Sequence, residues 1–162
     1  MGYFDWIFQY KFENEKATLI DLREHTLGWY NQLTEPLMPV LKEIEFRQPP
    51  QNVGQYVEIA HEIYAIKIMS GHGDNLDNVL KSMNPRGIPF FAPRRKLKTL
   101  AIEFQHRGLF VKELAMDLNR WAQTNGREQE QLRTRLFEGW KGFEAAKDNL
   151  IDEINHQIQS LG

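Results

Sequence analysis

The spacing Glu-x-x-His occurs three times in this chain, at Glu58/His61, Glu103/His106 and Glu153/His156, although there are only five histidines among its 162 residues. Residues i and i+3 share one face of a helix, so each pair can offer a carboxylate and an imidazole to one point in space. In di-iron carboxylate bundles two such pairs, with a lone Glu from each of two further helices, converge on a metal cluster. The chain contains no cysteine, which removes disulfides, thiolate nucleophiles and zinc-thiolate sites and leaves His, Asp and Glu to hold any metal.

Convergence fails on facing and on level. At about 100° per residue, His106 lies roughly 140° from the centre of the Leu100/Phe104 row, and His156 about 155° from that of Leu150/Ile154, so both point to solvent. If the chain reverses at Asn125-Gly126, residues 153 to 156 lie opposite residue 96 or 97. At about 1.5 Å per residue they then miss the 103–106 pair by about 12 Å along the axis. Glu103/His106 and Glu153/His156 read as surface pairs. His61 differs, because it falls beside Val57, Tyr64 and Ile68 on a stretch that is apolar on every side. That predicts a core imidazole with Glu58 serving one ring nitrogen; the alternative is a metal held by Glu58 and His61. His72, in "GHGD" with Asp74 close by, is a loose metal or phosphate corner of low specificity.

The second cluster with chemical content is basic. Between Asp77 and Glu103 there is no acid, while Lys81, Arg86, Arg94, Arg95, Lys96 and Lys98 all fall inside, and Phe90 and Phe91 precede the densest part. Clustered cations beside aromatic rings suit phosphate backbones and stacked bases. The net charge of -2 and the lack of a nucleic-acid-binding motif weigh against nucleic acid. Cations at a helix start are also opposed by the helix dipole unless an anion is near, and the acidic first and last helices or an acidic partner protein can supply one. The third cluster is the opening "MGYFDWIFQYKF", where Phe4, Trp6, Phe8, Tyr10 and Phe12 alternate at period two. That is a strand spacing with no strand partner downstream, so residues 1–13 read as an aromatic arm packed on the helical body or docked on another chain, with an interfacial membrane anchor, weakened by having only Lys11 as a positive charge, as the third reading.

The elements that must position these clusters are helical. Asn14 caps a helix whose apolar row runs through Leu19, Leu22, Thr26 and Leu33; "TEPLMP" interrupts it, with Thr34 capping a second helix through Val40, Leu41 and Ile44. A loop follows, then a helix from Gln55 to about Ser70, a short one from Asp74 to Met83, and a Pro-rich basic loop over residues 84–96. Leu97, Leu100, Phe104, Val111, Leu114 and Leu118 mark a long helix ended by Asn125-Gly126. Leu132, Leu136, Phe143, Leu150 and Ile154 mark another. The expected architecture is one all-α domain over 1–162, a helical bundle with a long C-terminal antiparallel αα-hairpin and an aromatic N-terminal arm. No signal peptide or membrane span is visible, which predicts a cytoplasmic protein.

No nucleophile-base arrangement and no phosphate-cradling glycine loop is present, and no cofactor is implied beyond the metal alternative. The functional expectation is a non-enzymatic interaction or adaptor module. Phe4, Trp6 and Phe8 of the arm, with Arg86, Phe90, Phe91, Arg94, Arg95, Lys96 and Lys98, would meet a partner protein; the sequence leaves homo-oligomerisation open. A metal protein centred on Glu58/His61 and nucleic-acid or phosphate binding through the basic loop are the alternatives.

Overall fold

A computed structural model describes residues 3–49, 53–66, 92–121 and 126–161, and all regular structure among them is helical. In chain order the elements are α1 (Tyr3–Glu45), α2 (Val53–Tyr64), α3 (Ala92–Met116), the single turn α4 (Leu118–Trp121) and α5 (Gly126–Ser160). The short helix expected over 74–83 lies outside the described residues.

The row spacing that predicts α3 and α5 also forms their core faces. Leu97, Ala101, Phe104, Val111 and Leu118 on one side, and Leu136, Phe143, Leu150 and Ile154 on the other, are all completely buried. Phe143 sits at the centre, its ring 4.9 Å from that of Phe104 and 5.3 Å from that of Tyr30. The two helices run antiparallel: Lys96 meets Glu153, Phe104 meets Phe143, and a Cβ at Gly139 would lie 3.2 Å from Phe110 Cε1. Glycine at 139 therefore lets the Phe110 ring approach the α5 backbone. Glu128 in the first turn of α5 complements the helix dipole.

Four boundaries differ from the sequence reading. α1 starts at Tyr3, so residues 3–13 continue the helix rather than forming a separate period-two arm. Alternation alone does not make a strand; a strand needs a ladder partner, and none exists among the described residues. α1 also passes through Pro36 and Pro39 without ending. The rings remove two helical hydrogen bonds, yet Leu33, Leu37, Val40 and Leu41 form one buried row across them, and that tertiary burial outweighs the local cost. Thr34, expected as a cap, is instead a mid-helix residue whose hydroxyl accepts from Trp140 Nε1 at 3.3 Å.

α3 begins at Ala92, which moves Arg94, Arg95 and Lys96 out of the expected loop and into a first helical turn, where Pro93 is tolerated because its missing amide hydrogen has no acceptor there. The long helix expected from Leu97 to Asn125 breaks at Asp117, whose amide bonds Leu114 O at 3.2 Å in a tighter turn before α4. α1 ends in a left-handed cap. Gln48 N donates to Glu43 O at 2.8 Å and Arg47 N to Ile44 O at 3.1 Å, with Arg47 at φ 54°.

Candidate functional site

Cross-helix contacts set the level of every element along the bundle. Arg23 Nη1 donates to Asn155 Oδ1 at 2.7 Å, Tyr30 Oη to Glu144 Oε2 at 3.0 Å, and Trp140 meets Thr34, so α1 and α5 are antiparallel. Extending that register at about 1.5 Å per residue, Ser160 lies level with about residue 14 to 18 of α1. Through the Lys96–Glu153 contact, Ala92 at the start of α3 lies level with about residue 20 of α1. Leu19 is accordingly buried, at 1% exposed. The first three turns of α1, from Tyr3 to about residue 14, therefore run on for about 17 Å past the ends of α3 and α5, with no other described helix beside them.

Two of the predicted clusters fall toward this end without adjoining. Phe4, Trp6 and Phe8 belong to the overhanging turns, and Arg94, Arg95, Lys96 and Lys98 to the first turns of α3, about 20 Å further along the axis. The side chains of Phe4, Trp6, Phe8 and Arg94 lie outside what the structure describes, as do residues Arg86, Phe90, Phe91 and His72 altogether. Arg95, Lys96 and Lys98 are exposed. Lys96 Nζ is 3.3 Å from Glu153 Oε2, so one cation of the segment is met by an acid of α5 within the fold. Glu153, expected on the surface, is 8% exposed; it holds Lys96 and accepts from Gln157 Nε2 at 3.2 Å.

The Glu-x-x-His pairs do not assemble. Glu103 takes Arg107 Nε at 2.8 Å on the surface, and His106 and His156 are exposed. His61 and Glu58 are exposed as well, against the expectation of a core imidazole. α2 is amphipathic rather than apolar all round: Tyr56, Ile59, Ala60 and Ile63 are buried, while Val57 and Tyr64 are 37% and 68% exposed. Among the described residues, its neighbours cover one side. His61 lines a shallow depression of about 280 Å³ with Ala60, Tyr64, Met116 and Asn119, none of them a carboxylate. Among the described residues no three His, Asp or Glu side chains cluster as a metal would require.

At the opposite end lies a buried polar cluster that sequence reasoning missed. Tyr56, fully buried, donates its hydroxyl to Glu43 Oε2 at 2.9 Å, and Glu43 is only 7% exposed. Arg133, 2% exposed, donates from Nη2 to Gln48 O at 2.6 Å and from Nη1 to Glu130 Oε1 at 2.9 Å, while its Nε is buried with no acceptor. The cluster ties the end of α1, the start of α2 and α5 together. Burial first, then the hydrogen bond to Glu43 and that carboxylate's charge, push the Tyr56 hydroxyl well above the ordinary tyrosine range, with Arg133 acting in the other direction. A signal was present: Glu43 falls three residues after Val40 and Arg133 three before Leu136, so both charges occupy positions in apolar rows.

Compared with protein families, with curated proteins and with solved structures, the chain finds no match. The class that the geometry defines is an all-helical chain, and no helix among its described residues is long and apolar enough to cross a membrane.

Proposed function

We propose that this chain is a non-enzymatic helical interaction module that offers one end of its helices to a partner protein. The contact elements in this proposal are the aromatic start of α1, carrying Phe4, Trp6 and Phe8, and the basic start of α3, carrying Arg94 and Arg95. α3 and α5, taken as an αα-hairpin, serve as the rigid base. The observation that carries the proposal is the overhang: three turns of helix, rich in aromatic residues on every side but the Asp5/Gln9/Glu13 stripe, extend past the described helices. A helix apolar over most of its circumference is normally one that is covered. Lys96 is assigned to the fold rather than to the partner, because it already meets Glu153.

Affinity capture from the native source tests this. A protein recovered with the wild-type chain should be lost with Trp6→Glu/Phe8→Glu and reduced with Arg94→Glu/Arg95→Glu. Equal recovery with all three chains would reject the proposal.

A further inference from the structure

The overhanging segment has an internal symmetry. In "YFDWIFQYKFE", residues 3–13, aromatic residues sit at mirrored distances from Phe8: Phe4 against Phe12 and Trp6 against Tyr10. Between Phe4 and Phe12 the charges are Asp5 and Lys11, equally far from Phe8 and opposite in sign, and Glu13 at the end of the segment falls opposite the uncharged Tyr3. Two copies laid antiparallel about a two-fold axis at Phe8 bring Phe4 level with Phe12, Phe8 level with Phe8, and Asp5 level with Lys11 of the second copy, while Trp6 and Tyr10 lie on the far side of each helix. A parallel pair would put Asp5 beside Asp5 and Lys11 beside Lys11. The mirrored pattern favours the antiparallel pair on charge alone, and it is the isologous arrangement in which one patch meets itself.

Length agrees with it. The overhang runs from Tyr3 to about residue 14, so its midpoint is close to Phe8, and in the antiparallel pair Tyr3 of one copy comes level with Glu13 of the other. Each overhang then lies along the other, beyond the described ends of α3 and α5. Area agrees as well. Phe4, Phe8 and Phe12 follow one another at i+4 along a single row that leads into the buried row at Leu19. At about 150–250 Å² per aromatic residue, three or four residues from each copy cover about 1,000–2,000 Å² in total, which spans the size of specific protein interfaces.

We infer that the partner of the overhang is a second copy of this chain, paired antiparallel through residues 3–13 about Phe8. This rests on the interaction reading above and names its partner.

The test uses the full chain. At concentrations of about 10–100 µM, light scattering should return twice the 19.1 kDa chain mass. Phe8→Glu is felt twice across the axis and should weaken association by about 100-fold or more, with far-UV circular dichroism showing the helices retained. Asp5→Lys should weaken the pair, and adding Lys11→Asp should restore it. Because the chain has no cysteine, single substitutions report polarity: Phe8→Cys should cross-link on oxidation and Phe4→Cys, on the same face one turn away, should not, whereas a parallel pair would cross-link through both. A dimer that survives Phe8→Glu, or that cross-links through Phe4→Cys, overturns the inference. So does a monomer at about 100 µM. In that case a different protein captured by the wild type and lost with Phe8→Glu would keep the interaction reading, capture of nothing would end both, and sedimentation with phosphatidylcholine–phosphatidylglycerol vesicles would assign the segment to a lipid surface.

Discussion

Removing one oxygen from the buried polar cluster, by Tyr56→Phe, isolates what that cluster contributes. The ring is retained at a site with 0% exposure, so packing is conserved, and the change deletes the 2.9 Å hydrogen bond to a Glu43 carboxylate that is itself nearly inaccessible. A hydrogen bond to a charged group contributes about 1.5–3 kcal/mol, and the carboxylate left short of a donor cannot recover it from water. For a chain of this size that is a fall in Tm of roughly 3–12 °C. Chemical denaturation followed by circular dichroism measures it, with an unchanged slope against denaturant. The pH dependence is a second readout. Burial and Glu43 raise the folded hydroxyl above its unfolded value of 10.0, so its protonated form stabilises the fold fully below that pH, and the contribution is lost as pH rises beyond it. The gap between wild type and Tyr56→Phe should stay constant from about pH 6 to 9 and narrow above about pH 10. A gap under about 0.5 kcal/mol at neutral pH, or one that widens in alkali, would refute the assignment.

Arg47→Gly should stabilise the chain by about 0.5–1 kcal/mol in the same assay, because Arg47 holds a left-handed φ of 54° that glycine adopts without steric cost. Two helical glycines should respond in opposite directions. Gly28→Ala meets nothing within 4 Å and should gain about 0.5–1 kcal/mol from helix propensity, while Gly139→Val drives into Phe110 and Leu114 and should lose about 1–3 kcal/mol in urea denaturation. Lys96→Met should cost less than about 1 kcal/mol, since the lysine is 65% exposed, and the loss should shrink in high salt. Tyr30→Phe carries its own pH signature. Burial, then Glu144, push the Tyr30 hydroxyl up to about 12, so the stability this residue adds should be complete below pH 10.0 and lost between there and about 12 in alkaline melting curves.

Helix identity was readable where one residue type repeats on one face. Leu136, Phe143, Leu150 and Ile154 announce the core side of α5 by spacing alone, and all four are buried. Spacing fails where a residue's fate depends on something distant in the chain. Arg133 lies in an apolar row and reads as a surface interruption until Gln48 O, far back in the sequence, is found against it. Glu153 is the same case with Lys96. His61 fails in the opposite sense: its apolar neighbours Val57 and Tyr64 suggest a core, but the other described helices cover the Tyr56/Ile63 side of α2. The prolines of α1 mislead because local cost is visible in a sequence and the compensating burial of Leu37, Val40 and Leu41 is not. At the candidate site, the aromatic and basic clusters were both visible as composition. Their shared position at one end was not, because it depends on the register of three helices.

Those same prolines give α1 an uneven grip on its own backbone. Neither Pro36 nor Pro39 has an amide hydrogen, so the carbonyls of Gln32 and Glu35, both on exposed residues, lose their usual donors and turn to water. The rod is continuous in shape and divided in cooperativity. Unwinding that enters from the Tyr3 end must break the Arg23 and Tyr30 contacts to α5 before it reaches that gap, and beyond the gap Glu43 holds the last turns through Tyr56.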